Sequence, residues 1–599
     1  MKNIFNKQLF ASIFNIRLYN SETIFIVLAY MLVISAMVYR SFYGIEITDE
    51  SLYIAEGYIV TQGATPYVDM WLHASGFAFL NAPFIWIYTF ITGSTSGIFL
   101  YFRSISLLIR VSIIILICLI MKPYMSTKLT AFWHLPLLAF VPHSIITMSY
   151  NTWAVMLLPL CCVSIVHSVL CKKNRTLFGA ISGGVFAFII LCYPIMIILG
   201  IIILFLIFTY EHVYQLKHYT FFGFLSGGVF IGLAIVLLLL LHSGNFWGLI
   251  SGLDIIINDN PYISSSKGIN STSLQLFAFY MINWIIKIII PITFINLPFF
   301  SKRQKINIVI FFIIIYISFI SFRVFINFLE SVNINYKSIQ ITDILCRSFF
   351  PITALLFLLI NKKKQLVNVL TIFIYLPALF FCLIANFLVF NGMNQRFYFL
   401  IYGTLLIIPF LTLIFDEIIE NSNNKSFFSS VVMLVCFIFT FGFLLNYYNY
   451  IYREKSIEHL THKINYGIFS GIYTTEIKGK GLIFLEKTIK DNTNKFENIL
   501  FMDCVPMAYL MTKAQHCSPT TWDMLSFTYG FTDDTLLQKY FKIAGRTPDK
   551  IIYIFTGRDK VLSIDSKDYK FNDYVNRNYK LTSNINAYYP VKIYEKYND

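Results

Sequence analysis

"IFLYFRSISLLIRVSIIILICLIM", residues 98–121, is the stretch whose reading decides the fold class. Arg103 and Arg110 are the only charges in an apolar run that three serines otherwise interrupt. A run of that length with so little charge reaches across a hydrocarbon core about 30 Å thick. Its two arginines stand one heptad apart, on one helical face. Arg103 lies near one mouth and Arg110 deep inside, where a cation needs a partner or a wet cavity.

Runs like it recur along the 599 residues, of which 57% are hydrophobic, 18% aromatic and only 13% charged. A soluble protein of that size could not keep so much apolar surface from water. The expected fold class is a polytopic α-helical membrane protein with about 13 transmembrane helices and a C-terminal extracytoplasmic α/β domain. The spans expected are 23–39, 98–121, 129–148, 152–171, 177–192, 195–210, 221–241, 274–297, 306–326, 344–360, 366–390, 397–415 and 427–447. Tyr193-Pro194 separates two short ones, and helices broken at membrane depth are tolerated where they line a cavity. The apolar stretch 76–91 is read as a helix lying at the outer surface, because counting it as a span puts every later basic cluster on the wrong face.

Those basic clusters decide orientation. The net charge of +15 is gathered between apolar runs, as at Lys172, Lys173 and Arg175 or Lys362, Lys363 and Lys364. That pattern marks cytoplasmic loops and excludes a nucleic-acid surface. The N-terminus is therefore expected inside and, after an odd number of spans, the C-terminus outside. The first 20 residues are mixed and carry no cleavable-signal pattern, so the first span is read as an anchor. With no organelle signal, the expected location is a bacterial plasma membrane.

The chain divides into a membrane module, 1–448, whose outer loop 43–97 carries juxtamembrane helices, and a soluble domain, 449–599. In the latter, 475–490 reads as a helix, "FENILFMDC" (496–504) as a strand, "PMAYLM" (506–511) as a short helix, 533–542 as a helix and "DKIIYIF" (549–555) as a strand. Strands alternating with helices suggest a small parallel sheet. Of ten cysteines, eight fall in or beside spans as small apolar residues; Cys504 and Cys517 are the candidates for a disulfide.

Outward of the first span runs "YGIEITDESLYIAEGYIVTQGATPYVDMW", residues 43–71. "TDESLYIAEGY" reads as a short helix with Thr48 or Asp49 at its cap. Asp49 and Glu56 share a face of it and Glu50 points aside. Arginines recur at the same level: Arg103, then Arg323, Arg347 and Arg396. Acids from one loop and guanidinium groups from several helices describe a wet pocket half in the bilayer. Such a pocket suits a lipid-linked phosphate, since guanidinium forks match phosphate oxygens.

Asp-Glu after the first span, Gly-x-x-Pro-Tyr-x-Asp (63–69), the surface helix and the arginine opening the second span together resemble the GT-C superfamily of polyprenyl-phosphate-sugar glycosyltransferases. Its relatives include protein O-mannosyltransferases, lipid A aminoarabinose transferases and oligosaccharyltransferase catalytic subunits. The tail also resembles bacterial members through "GIYTTE" (471–476) and "PTTWD" (519–523). The resemblance implies transfer of a sugar from a polyprenyl-phosphate donor to a glycan, lipid or protein acceptor at the outer face, with inversion. It implies Asp49 as the acid that contacts or deprotonates the acceptor, with Glu50 as companion. Arg103, Arg347 and Arg396 become the phosphate-side candidates, and Glu56 a further substrate-binding one.

Two departures matter. Where many relatives read Lys-Pro-Pro, this chain reads His73-Ala74-Ser75, so His73 takes over phosphate contact only if it donates a proton. Where some carry a second acidic motif, it reads "MSYNTW" (148–153) without a carboxylate. Relatives that bind a divalent metal use acids from both loops. The expected mechanism is therefore metal-free, with Glu56 or Asp69 left to complete a weak divalent site. The loop 242–272 reads as a mobile segment, without roles for Asp254, Asp259 or Lys267.

The main rival is a transporter or flippase of lipid-linked or soluble glycans, for which Lys287 near the middle of its span is the best support. No repeated hydropathy pattern accompanies it. A third reading, a glycan ligase or polymerase of another fold, places its essential residues in a late outer loop.

Overall fold

The computed structural model describes residues 21–258 except 73, 125–126, 142–144 and 172. It also describes parts of 365–384, residues 440 and 444, and 451–597 except 452, 523–535 and 556–569. The N-terminal half is helical throughout: α1 Ser21–Ser41, α2 Asp49–Thr61, α3 Phe77–Thr92, α4 Ile98–Met121, α5 Thr127–Ala139, α6 Tyr150–Leu170, α7 Arg175–Cys192, α8 Ile197–Val213, α9 Tyr219–Ser243 and α10 Phe246–Asn258. A short helix α11, Gln365–Leu370, runs on into the π-helical turn Thr371–Tyr375.

Six of these are long and apolar enough to cross a membrane: α1, α4, α6, α7, α8 with its leading turn, and α9. They coincide with the expected spans 23–39, 98–121, 152–171, 177–192, 195–210 and 221–241. The expected spans 274–297, 306–326, 344–360 and 397–415 lie outside the described residues; 366–390 and 427–447 are described only in part. One expectation is corrected. In place of a span over 129–148, α5 stops at Ala139 after 13 residues, about 20 Å of rise, short of a crossing. Helix α3, with 16 residues, is also too short to span the core upright, and Trp86, Phe90 and Ile91 leave its far end exposed. Pro194 breaks α7 from α8 through a 3₁₀ turn at Pro194–Met196, as the Tyr193-Pro194 step suggests.

Small residues set the closest helix contact. A methyl on Gly183 would stand 2.0 Å from the Phe224 carbonyl, and one on Gly227 2.0 Å from that of Ala180. Helices α7 and α9 therefore pack backbone to backbone, through glycines four apart on each. Gly183→Ala is expected to lower the melting temperature of the purified protein, at a cost of about 1–3 kcal/mol for the overpacked crossing. The carboxylate of Glu211 ties α8 to the start of α9, accepting the Thr220 and Phe221 N–H groups at 2.9 and 3.0 Å.

The C-terminal α/β region carries the helices α12 Glu476–Asp491, α13 Met507–Leu510, α14 Leu536–Ala544 and α15 Lys570–Asn578. A two-residue ladder pairs β1 His462–Lys463 with β2 Tyr473–Thr474. The main sheet has five strands in the order β4-β3-β5-β7-β6: β3 Asn498–Met502, β4 Gln515–His516, β5 Lys550–Ile554, β6 Tyr579–Ile585 and β7 Val591–Lys596. Its β4-β3-β5 half is parallel, as expected. The other half is antiparallel, because a terminal hairpin, β6–β7, adds to β5. The sheet is therefore mixed rather than parallel.

Candidate active site

The chain leaves α1 at Arg40 and Ser41 and turns at Gly44, whose φ of +78° permits the sharp exit into α2. Thr48 occupies the cap position but makes no capping bond. Glu46 does that work instead: its Oε2 accepts the Thr48 N–H at 3.1 Å and the Glu50 N–H at 2.7 Å. Thr48 turns its hydroxyl to Glu46 and to Arg453.

Three acids then point three ways. Glu50 is buried and meets Arg103 through both oxygens, Nε to Oε1 at 2.8 Å and Nη2 to Oε2 at 2.6 Å. Arg103 also donates to the Ser41 carbonyl at 2.7 Å and the Gly44 carbonyl at 2.8 Å. Its fork is thus taken up in clamping the loop between α1 and α2. Arg103 and Glu50, expected on the phosphate and catalytic sides, thus form a buried ion pair with each other. Asp49 keeps 16% of its side chain exposed and faces Arg453, Nη2 to Oδ2 at 3.3 Å. Arg453 holds Glu46 as well, at 3.2 Å.

Arg453 comes from the start of the polar tail and adopts a left-handed backbone, φ +55°, which costs a side-chain-bearing residue strain. Its neighbours make the same crossing. Glu454 accepts the Ile45 N–H at 3.1 Å and a Lys478 ammonium bond at 2.8 Å, while Lys478 donates to the Ile45 carbonyl at 2.7 Å. The segment carrying the acids is thereby bolted to α12 and to the strand before it. Burial and the Asp49 charge push the Glu46 carboxyl up to about 7, while Arg453 restrains the rise.

Aromatic rings lie beside Asp49. Tyr150 stands close enough to feel its charge. The Tyr150 ring stacks on Tyr193, centroids 5.6 Å apart and 13° from parallel, and meets Tyr53 edge-on at 6.0 Å. Asn81 fixes that wall: it donates to the Tyr53 carbonyl at 3.1 Å and the Met148 carbonyl at 3.0 Å, and accepts from the Trp153 indole at 2.9 Å. The carboxylate-free "MSYNTW" segment thus supplies aromatic and backbone groups to the site.

Glu56 lies fully inside, under α3. Neither carboxyl oxygen has a well-formed hydrogen bond among the described residues, and the Ser75 hydroxyl is the one group near enough to relieve it. Burial pushes it from the ordinary 4.5 up to about 8. The sign follows. Between about pH 4.5 and 8 the folded chain holds a proton that the unfolded chain has released, so stability falls as pH rises through that window. Thermal melts of the full chain are expected to show the decline, and Glu56→Gln to flatten it, with the largest gain at pH 8.

Other expected residues fall elsewhere. The Pro-Tyr-x-Asp turn is structural: Tyr67, at φ +67°, donates to the Leu191 carbonyl at 3.1 Å, and Asp69 caps Thr65 N–H at 2.8 Å while pairing with Arg546 at 3.1 Å. Arg110, buried in α4, donates to the Phe140 carbonyl at 2.9 Å. No three His, Cys, Asp or Glu side chains converge on a metal position among the described residues. Cys504 and Cys517 are both buried and are not joined to each other, in place of the expected disulfide; Cys517 points its sulfur to the Arg546 carbonyl at 3.8 Å. Helix α10 fills the first half of the loop read as mobile, its Gly252 set against the Tyr67 carbonyl. Asp254 lies on α10; Asp259, Lys267, His73, Lys287, Arg323, Arg347 and Arg396 lie outside the described residues.

No protein-family model matches the chain, and no curated protein matches it.

Proposed function

We propose that the chain is an inverting membrane glycosyltransferase of the GT-C kind, with about thirteen spans, using a polyprenyl-phosphate-linked sugar at the extracytoplasmic face. The observation that carries this is Asp49: a partly exposed carboxylate just past the first apolar helix, held by a guanidinium and flanked by an aromatic wall. Asp49 takes the proton of the acceptor hydroxyl as its oxygen bonds to the anomeric carbon. The bond from that carbon to the phosphate oxygen breaks on the opposite face, inverting the centre, and the polyprenyl phosphate leaves with the electron pair. Arg347 and Arg396 receive the leaving phosphate, since Arg103 is engaged by Glu50. Arg453 is a positioning residue that aims Asp49 rather than a contact to the donor.

The test is chemical. Glycolipids and surface glycans are extracted from a strain lacking the chain, and one sugar is expected to disappear. Unchanged composition, under conditions where the protein is made, sinks the reading. Accumulation of an intact lipid-linked glycan on the inner leaflet instead favours the flippase.

A further inference from the structure

A cavity of about 440 Å³ opens between the end of α1 and the segment 456–461, next to the acidic loop. Tyr39, Tyr43 and Tyr473 form one side as a continuous aromatic ladder: Tyr39 to Tyr43 at 4.9 Å, Tyr43 to Tyr473 at 5.2 Å and 22° from parallel. Ser456, Thr461 and Glu458 line it as well, and only Ile457 and Leu460 are aliphatic. The Ser456 hydroxyl donates to Glu458 Oε1 at 2.9 Å, His459 Nε2 lies 3.8 Å from the same oxygen, and the carboxylate remains 76% exposed. The frame is rigid, because Gly44 N–H bonds the Tyr473 carbonyl at 2.8 Å and Tyr473 N–H bonds the Phe42 carbonyl at 2.7 Å.

We infer that this cavity is a carbohydrate subsite, taking an uncharged pyranose at the end of a glycan acceptor. Six of its eight lining side chains carry a hydroxyl or a carboxylate beside the apolar ring faces, a mixture that matches a sugar better than a wholly apolar acyl or prenyl chain. Tyrosine rings offer apolar faces to the C–H side of a pyranose, and Glu458 with its hydroxyl neighbours accepts from vicinal sugar hydroxyls. The volume lies within the range of small-ligand sites, at roughly 300–1,000 Å³. Tyr43 stands six residues before Asp49 and Ser456 three after Arg453, so an occupied cavity would bear on Asp49 and on the arginine that positions it. Only the word acceptor rests on the transferase reading; sugar binding does not.

The full chain in lipid nanodiscs is probed by saturation-transfer NMR with maltose, cellobiose, mannobiose and N-acetylchitobiose. At least one is expected to bind. Tyr39→Ala and Glu458→Gln, both at exposed side chains, are expected to weaken it about tenfold or more. Tyr466→Ala, an exposed ring outside the cavity, is expected to leave it unchanged. Absence of binding to all four sugars, or equal binding by the cavity variants, overturns the inference. So does occupation of the cavity by a spin-labelled phospholipid that the sugars do not displace. If a deletion strain keeps its glycans while the disaccharide still binds, the transferase reading fails and the subsite stands. If transfer proceeds and the cavity variants leave the acceptor KM unmoved, the subsite fails and the transferase stands.

Discussion

Arg103→Ala is expected to cost about 3–5 kcal/mol and to leave little folded protein after detergent extraction, because it strands Glu50 as a buried, uncompensated charge. It also strips the Ser41 and Gly44 carbonyls of their donor, so the turn between α1 and α2 loses its clamp. Arg103→Lys should recover only part of the loss, since an ammonium cannot meet both Glu50 oxygens and two carbonyls in the fixed fork that guanidinium provides. Adding Glu50→Leu to Arg103→Leu should recover more, as a buried apolar pair replaces a buried ionic one. Thermal melts of the four proteins check this. A single Arg103→Ala variant that melts normally would return Arg103 to the pool of residues available for a ligand.

Asp49→Asn should behave in the opposite way. The amide keeps the shape and the Arg453 contact on one oxygen, so melting should shift little, while product formation should fall by about 10²–10⁴. Comparison with Arg396→Ala separates a GT-C transferase from a ligase whose essential residues sit late in the chain: in the ligase the Asp49 variant stays active. Arg453→Ala should fall between them. As a positioning residue it should lower kcat with little change in donor KM, and Arg453→Lys should restore part of it, a pattern that mere structural damage would not give.

The apolar helices were legible because membrane hydropathy acts residue by residue and needs no partner. The same is true of β3 and β5, "NILFM" and "KIIYI", which are buried along most of their length. The terminal hairpin was not. Strand β6, "YKLTSNI", lies at the sheet edge with a mostly exposed face, so its composition reads as polar loop. Helix α10 was hidden by the Ser/Gly/Asn content of the stretch that follows it. For the site, the acids and the order of motifs were visible, but which arginine meets which acid was not. Arg103 and Arg453 are the same residue type, and only the fold tells that one is locked on Glu50 and the other reaches Asp49. The contact between Arg453 and Glu46 spans 407 positions, beyond any local spacing rule. An acid three residues before Asp49 was the available clue to Glu46, and a lone arginine at the start of the polar tail the clue to Arg453.

The bolt between Ile45 and Lys478, 433 positions apart, also sets a schedule. At roughly 5–20 residues per second of translation, the first loop waits some 20–90 s after emerging before its fastening partner exists. Through that interval Glu46, Asp49 and the Ile45 backbone stand without the tail's cations. The N-terminal half therefore holds this loop unfastened until residue 478 has been made, and the loop takes its final form only once the tail has begun to fold.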